Sequence, residues 1–337
     1  MSKVIIIAEA GVNHNGDLAL AKKLVDKAKE ANVDFVKFQT GIPELLVSTL
    51  APKAEYQKRE TDSSQTQLDM IKSISLSFPE FRTLKSYCDE SRINFLSTPF
   101  EEQSIDFLND LGMDYFKVPS GEITNLPYLE YISSLGRDVI LSTGMSNLSE
   151  IETALNVLKR GLSDDQISIL HCTTEYPAPF NEVNLNVIPM LKAAFGLKVG
   201  YSDHTKGLEA SIAAVALGAE IIEKHYTLDR SMIGPDHKAS IEPSELKQLV
   251  SSIRNIEVAL GHSVKKVTPS ERLNIAVARK SIHIKHDLMK GEKLSKNDFI
   301  MKRPGNGISP IDYHKYCGRV LATDLPKDHM LKEEDLL

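Results

Sequence analysis

Two histidines of the chain stand in short polar clusters, His204 in Tyr-Ser-Asp-His-Thr and His225 in Glu-Lys-His-Tyr. Each cluster follows an apolar run of the kind that forms a β-strand. Neutral imidazoles are ligands for Zn, Mn, Fe or Co, whereas an all-oxygen site suits Mg or Ca. A single histidine is more often structural, but two at the ends of neighbouring strands predict a metal site. Two protein ligands leave room for water and substrate, as a Lewis-acid catalyst requires.

Two lysines, Lys37 and Lys117, also follow apolar runs. Lys37 and Gln39 have the same parity along a strand, so both are expected to point inward. A buried lysine can form a Schiff base, hold phosphate as a point charge or make a structural ion pair. Hydroxyl groups that stand at the same level of other runs favour a phosphate site, although each alone could cap a turn: Thr98, Ser120, Ser142 and Ser202.

Two acids, Glu9 and Glu122, follow the first and the fourth apolar run. Both could transfer protons or bind sugar hydroxyls, and exposed loop acids are the plain alternative. The sequence has neither a GxxxxGK[ST] loop nor a GxGxxG segment after a strand, which argues against nucleotide and dinucleotide binding.

These candidates stand at the ends of eight apolar runs, Val4–Ala8, Phe35–Val36, Phe95–Leu96, Tyr115–Phe116, Val139–Leu141, Ile167–Leu170, Val199–Tyr201 and Ile221–Ile222. Stretches with helical periodicity lie between the runs, and strand–helix alternation favours a parallel sheet. A (β/α)₈ barrel places the C-terminal ends of its strands on one rim, where the active site lies. We therefore predict a TIM barrel over residues 1–262, with the candidate residues on its rim.

Three local features of the barrel are predicted in more detail. The helix after the fifth run is expected to begin at the N-cap Ser149, with Glu152 completing a capping box. The stretch 41–67 is long and polar, so it is predicted to be a loop that covers the substrate. The helix after the seventh run is expected to bury Leu208, Ile212, Val215 and Ala216.

The helical alternation stops near Gly261, and residues 263–280 are predicted to be a polar, basic linker. Residues 281–337 then form a second, mostly-β domain, with short strands expected at Ser281–Ile284, Asp298–Met301 and Arg319–Ala322. A unit of this size has a small core of its own. We expect it to lean on the barrel or on a second subunit.

Composition places limits on the partners of the protein. With a net charge of −6, the chain is not expected to bind nucleic acid. No run approaches the roughly 20 apolar residues that cross a membrane, so no membrane association is expected. The three cysteines are widely spaced, without a disulfide framework, and a cytoplasmic location is therefore predicted.

The motifs along the whole chain resemble those of the phosphoenolpyruvate-dependent sialic acid (N-acetylneuraminate) synthases. Segments that carry the resemblance are Ala8–Gly16, Val36–Thr40, Leu96–Phe100, Lys117–Glu122, Ser142–Met145, Thr174–Pro177, Tyr201–Thr205, Glu223–His225, Gly234–Asp236 and Lys302–Gly307. The C-terminal domain is similar to the type III antifreeze fold, also called the SAF or β-clip fold. Synthases for bacterial relatives of sialic acid, such as legionaminic acid, belong to the same family.

The resemblance implies that phosphoenolpyruvate condenses with the open-chain aldehyde of an N-acylated mannose-type sugar. A divalent metal, Mn²⁺ first and Mg²⁺ or Co²⁺ as alternatives, would be held by His204 and His225. Glu9 would transfer a proton or orient water. The lysines and hydroxyls would hold phosphoenolpyruvate, and sugar hydroxyls would be bound by Gln39, Glu122, Tyr176 and Asp236. Arg303 would reach the N-acyl group from the other subunit of a domain-swapped homodimer.

The sugar is the part of this prediction that stays open. N-acetylmannosamine, giving N-acetylneuraminate, is the first expectation, and 2,4-diacetamido-2,4,6-trideoxymannose, giving N,N′-diacetyllegionaminate, is the alternative. The chain has Thr174 where many members have Asn, so a contact carried over to this position is in doubt. Other hypotheses are a Schiff-base aldolase, a synthase acting on a phosphorylated sugar, and a non-enzymatic protein that binds ice or carbohydrate.

Overall fold

A computed structural model describes residues 3–61 and 65–337. The chain divides into two compact units, one that ends at Gly261 and one that spans His262–Leu337. Each is described by itself. Within the described residues, no helix is both long and apolar enough to span a membrane.

Eight strands form the sheet of the first unit: β1 (Ile5–Gly11), β2 (Phe35–Thr40), β3 (Asn94–Pro99), β4 (Tyr115–Val118), β5 (Asp138–Ser142), β6 (Ile167–Cys172), β7 (Lys198–Asp203) and β8 (Ile221–His225). Their hydrogen-bonded order is β3-β2-β1-β8-β7-β6-β5-β4, and all these pairings are parallel. Because β3 and β4 at the two ends of this order also pack against each other, the sheet is a nearly closed barrel. The predicted TIM barrel is confirmed.

Helices follow the strands around the barrel: α1 (Leu18–Ala31), α2 (Pro43–Leu46), α3 (Glu55–Glu60), α4 (Gln67–Ile74), α5 (Phe78–Ser91), α6 (Glu102–Asp110), α7 (Leu126–Ser134), α8 (Leu148–Leu158), α9 (Val187–Phe195), α10 (Glu209–Ala216) and α11 (Pro243–Leu260). The connection between β2, which ends at Thr40, and α5, which begins at Phe78, is longer than the other strand–helix connections of the barrel. The expected polar loop over 41–67 is wrong in detail, since it contains α2 and α3.

Side chains of the strands alternate between two apolar layers. Inward-facing residues fill the barrel interior below the rim, among them Ile7, Leu96, Ile140, Leu170 and Ile221. Their outward-facing neighbours pack with the helices in a much larger core. This period of two follows from the pleat of a β-strand. Every second residue of a strand therefore points inward along its whole length, including the polar residues at the rim.

Two helix predictions need correction. Helix α8 is capped by Asn147, whose side chain accepts from the backbone N–H groups of Ser149 and Glu150, so the cap lies two residues before the predicted Ser149. In α10, Ala210, Ala214 and Val215 are buried, whereas the predicted Ile212 is half-buried and Ala216 exposed. The buried face of α10 consists largely of alanines. Because alanine is less hydrophobic than Leu or Ile, this face gives a weak signal in the sequence pattern.

The second unit holds a two-stranded antiparallel sheet, β9 (Ser281–Ile284) with β10 (Phe299–Lys302), and two helices, α12 (Pro269–Ala278) and α13 (Tyr313–Tyr316). Helix α12 lies inside the segment predicted to be a linker. The predicted third strand, Arg319–Ala322, is present only as isolated bridges from Val320 to Lys293 and from Leu321 to Leu336.

Candidate active site

A cavity of about 500 Å³ opens at the C-terminal ends of the barrel strands. Its lining includes nearly every candidate residue of the first unit: Glu9, Lys37, Gln39, Thr98, Lys117, Ser120, Ser142, Tyr176, Ser202, His204, His225 and Asp236. The alternation of side chains along the strands explains why these residues meet in one cavity. Glu9, for example, stands two positions after the inward-facing Ile7 and therefore also points inward. The strands continue through these residues, so most of the candidates lie on rigid backbone and not on the loops that follow it.

Four charged side chains form the base of the cavity, and we call Glu9, Lys37, Lys117 and Glu223 the polar floor. Lys37 Nζ lies 2.9 Å from Glu9 Oε2 and 3.5 Å from Glu223 Oε2. Lys117 Nζ lies 3.6 Å from Glu223 Oε1. All four residues are buried, so the two acids balance the charge of the two lysines.

Burial and neighbouring charges oppose each other in the pKa values of the polar floor. Burial alone would raise the pKa of Glu223, but the Lys117 and Lys37 ammonium groups lower it to about 2. Burial would lower the pKa of Lys37, yet Glu223 and Glu9 raise it above its ordinary value. For Lys117 burial prevails and the pKa falls, and for Glu9 burial raises the pKa despite the nearby Lys37. Glu223 is thus the fixed anion, whereas Glu9 is easier to protonate.

Neutral hydroxyl groups surround the polar floor and hydrogen-bond to it. Lys37 Nζ donates to Thr98 Oγ1 at 3.1 Å, and Lys117 Nζ donates to Ser142 Oγ at 2.7 Å. Ser202 Oγ donates to Glu223 Oε1 at 2.9 Å. Buried ammonium groups and hydroxyls that converge in one cavity can fix the charges of phosphate and carboxylate groups.

Ser120 and Gln39 are two further neutral side chains that line the cavity. Gln39 Nε2 donates to Glu9 Oε1 at 2.8 Å and so orients that carboxylate. Ser120 Oγ accepts from the backbone N–H of Gly144 at 3.0 Å and lies 3.2 Å from Cys172 Sγ. Ser120 therefore shapes the rim between β4 and β5 as well as lining the cavity.

The two histidines lie side by side, with ring centroids 5.5 Å apart. Burial lowers the pKa of His204 to about 4 and that of His225 well below its ordinary value, so both rings are neutral at pH 7. His204 Nδ1 lies 2.6 Å from the Thr173 carbonyl oxygen, which leaves Nε2 toward the cavity. His225 Nδ1 is buried and has no hydrogen-bond partner. These features fit a divalent metal ion.

Among residues 3–61 and 65–337, no three His, Cys, Asp or Glu side chains are placed together as a ready metal site. The fit therefore rests on two imidazoles, with other positions left for oxygen ligands. Asp236 Oδ2 lies 3.8 Å from His225 Nδ1, and burial, followed by the charge of Glu9, raises the Asp236 pKa to about 7. The ring of Tyr176 packs on His204, with centroids 4.2 Å apart.

Two predicted site residues are placed elsewhere. Glu122 does not line the cavity; its Oε2 accepts from Asn125 Nδ2 at 2.7 Å, beside the start of α7. The structure therefore gives no support to a sugar contact of Glu122. Arg303 belongs to the second unit, where its Nε donates to the Ala278 carbonyl oxygen at 3.1 Å.

Sequence reasoning did not assign Glu223 or Cys172 to the site and left a contact at Thr174 in doubt, yet all three side chains line the cavity. Parity could have found Glu223, because it lies two positions before His225 and two after the inward-facing Ile221. Thr174 Oγ1 is buried and has no hydrogen-bond partner. No sequence signal marks Cys172 as facing the same cavity.

Comparison with known proteins places both units of the chain in known families. Residues 24–265 match the NeuB family, and residues 279–337 match the SAF domain. The N,N′-diacetyllegionaminic acid synthase of Campylobacter jejuni is 53% identical over 334 residues, 99% of this chain and 100% of that protein. The enzyme of the same name from Legionella pneumophila is 48% identical, covering 95% of this chain and 91% of that protein.

A solved structure gives the same result at the level of the fold. The N-acetylneuraminic acid synthetase of Leptospira borgpetersenii, in complex with citrate, superposes with a TM-score of 0.71 and is 36% identical, covering 81% of this chain and 90% of that one. The barrel fold and the similarity over nearly the whole chain agree. The chain belongs to the NeuB family of phosphoenolpyruvate-dependent nonulosonic acid synthases, and it is an enzyme of the transferase class.

Proposed function

We propose that the protein is an N,N′-diacetyllegionaminate synthase. It would condense phosphoenolpyruvate and water with the open-chain aldehyde of 2,4-diacetamido-2,4,6-trideoxymannose, releasing phosphate. Two relatives with this name are 53% and 48% identical to the chain, whereas the N-acetylneuraminic acid synthetase is 36% identical. These identities favour the diacetamido sugar over N-acetylmannosamine, the first expectation from the sequence.

The observation that carries the chemistry is the pair of buried lysines above the barrel interior. Lys37 with Thr98 and Lys117 with Ser142 would bind the phosphate and the carboxylate of phosphoenolpyruvate. Fixed positive charge at these positions stabilises the anionic groups without reorganisation of solvent. Glu223 would keep both ammonium groups in place until the substrate arrives.

Carbon–carbon bond formation joins C3 of phosphoenolpyruvate to the aldehyde carbon, and the electron pair of the enol double bond supplies the new bond. The π pair of the aldehyde moves to its oxygen, which takes up a proton and becomes a hydroxyl group, balancing the proton that the attacking water releases. Water then adds to C2 of the resulting oxocarbenium ion. The tetrahedral intermediate loses phosphate by C–O cleavage, and the 2-keto acid forms. Glu9, with its raised pKa, would accept or return the proton of that water.

Tyr176 and Asp236 would orient the sugar near His204 and His225. A divalent ion held by these two imidazoles, Mn²⁺ as the first choice, would polarise the aldehyde oxygen as a Lewis acid. A Schiff base at Lys37 is disfavoured, since Glu223 and Glu9 hold its amine in the protonated form.

The test is phosphate release by the full-length protein with phosphoenolpyruvate and either the diacetamido sugar or N-acetylmannosamine. Each acceptor is assayed free and phosphorylated, with Mn²⁺, Mg²⁺ or Co²⁺ and after chelation. We expect turnover of the free diacetamido sugar that chelation and His204→Ala both abolish. Preference for N-acetylmannosamine would overturn the acceptor, and activity that survives both treatments would overturn the metal. Borohydride trapping of a substrate adduct would instead indicate an aldolase.

A further inference from the structure

The cavity has a second, apolar part of its lining. It comes mainly from the connection between β2 and α5, which contributes a group of side chains that we call the apolar wall: Leu46, Val47, Ala51, Met70, Ile71 and Ile74. Ser48, Gln57 and Gln67 of this connection also reach the cavity, and Phe100 extends the apolar surface after β3. A cavity with a polar floor therefore also offers a hydrophobic face.

Local structure holds the apolar wall in place. Helix α2 packs against α4, and Met70 and Ile74, spaced four residues apart on α4, are buried. Within α2 the adjacent leucines diverge, because Leu46 lines the cavity whereas Leu45 is 53% exposed. Leu46 and Ile71 are half-buried, so they line the cavity without belonging to the deep core.

The polar floor fixes the direction of the acceptor. If Lys37 and Lys117 hold phosphoenolpyruvate, the aldehyde carbon must lie beside C3 of that substrate, close to the polar floor. The far end of the six-carbon chain, C6, must then extend toward the rest of the lining. A hydroxyl at C6 that packs against the apolar wall would give up hydrogen bonds to water, which is unfavourable, whereas a methyl group there gains from burial.

We propose that the apolar wall receives the C6 methyl group of the acceptor and makes the enzyme selective for 6-deoxy sugars. This inference rests on the proposed function, because it uses the same orientation of the two substrates. Leu46, Ile71 and the other residues of the apolar wall would then determine whether the enzyme prefers a 6-deoxy or a 6-hydroxy acceptor.

The test uses two acceptors that differ by one oxygen atom, 2,4-diacetamido-2,4,6-trideoxymannose and its 6-hydroxy counterpart. They compete in one reaction, so the product ratio reports the ratio of kcat/KM values. We expect the wild-type protein to prefer the 6-deoxy sugar by roughly 10- to 100-fold. Leu46→Ser and Ile71→Ser should each lower this ratio several-fold and leave the KM for phosphoenolpyruvate unchanged. Leu45→Ser, on the same helix but outside the cavity, is the matched control and should keep the wild-type ratio.

The outcomes separate the inference from the proposed function. Equal use of both diacetamido sugars by the wild-type protein, or an unchanged ratio in folded Leu46→Ser and Ile71→Ser, would overturn the apolar wall while the function stands. Turnover of neither diacetamido sugar would overturn the function. N-acetylmannosamine and its 6-deoxy form would then serve as the competing pair, and absence of selectivity there would also overturn the apolar wall.

Discussion

At the scale of single residues, Lys37 and Lys117 carry the charge that binds phosphoenolpyruvate. We expect Lys37→Ala and Lys117→Ala each to raise the KM for phosphoenolpyruvate by roughly 10- to 150-fold, the value of one charge-assisted hydrogen bond of about 1.5–3 kcal/mol. Steady-state kinetics with the sugar at saturation measure this effect. A change confined to the KM of the sugar would show that the lysines serve the other substrate.

Glu223 acts at the same scale through the lysines that it contacts. Glu223→Gln should leave Lys117 with fewer opposing charges, so its pKa, already lowered by burial, should fall further. Because neutral Lys117 binds phosphate poorly, we expect the KM for phosphoenolpyruvate to rise by roughly tenfold, and this rise should shrink as the pH is lowered and the ammonium group is regained.

The control for this prediction is Glu223→Asp, which retains the charge. It should show a smaller rise of the KM and a weaker dependence on pH. A pH-independent rise of the KM in Glu223→Gln would mean that the variant only disturbs packing.

At the scale of elements, the closeness of β7 and β8 depends on Gly200. A Cβ atom at this position would lie 2.5 Å from the Ile221 carbonyl oxygen and 2.6 Å from Leu170 Cδ2. We expect Gly200→Ala to lower the free energy of unfolding by about 1–3 kcal/mol, the usual cost of overpacking. Urea denaturation measures it. Gly121→Ala is the control, since no atom lies within 4 Å of its Cβ position, and equal stability of the two variants would contradict the prediction.

The loop between β1 and α1 makes stability depend on pH through His14. Burial lowers the pKa of His14 to about 4 from its ordinary 6.5. Between these values the unfolded chain binds a proton that the folded chain does not. The free energy of unfolding therefore has its full value above pH 6.5 and falls as the pH drops toward 4.

His14→Gln removes this titration and should flatten the loss of stability between pH 6.5 and 4, by an amount on the order of 3 kcal/mol. Urea midpoints at pH 7 and pH 5 measure the part that is lost above pH 5, about 2 kcal/mol. His262→Gln replaces an exposed ring and should retain the wild-type dependence. An unchanged difference between the two midpoints in His14→Gln would show that other groups cause the loss.

At the scale of the whole molecule, we propose a homodimer in which Arg303 of one subunit completes the site of the other. Arg303→Ala and His204→Ala should each inactivate a homodimer. Mixed dimers would contain one site with both intact residues, so the mixture should recover up to about a quarter of the wild-type activity. Mixed dimers without recovery would show that Arg303 does not act across the interface.

Much of the fold could be predicted from the sequence because its signals are local. Alternation with a period of two sets which side chains face inward on each strand, and this was enough to place Lys37, Gln39 and His225 on one rim. The bounds were less accurate: strands extended through the polar residues, and the apparent third strand at 319–322 was reduced to bridges. Strand pairing in the small domain depends on partners distant in the chain, which local propensity does not encode.

The sequence by itself determined the barrel, the second domain and the set of residue types at the rim, since hydrophobic periodicity and residue chemistry are properties of short segments. Only the tertiary structure decided that Glu223 lies between Lys37 and Lys117, that Glu122 does not line the cavity, and that the connection between β2 and α5 supplies an apolar wall. The physical reason is distance. Charge balance, pKa and cavity shape arise between atoms that folding brings within a few ångströms from positions far apart in the chain.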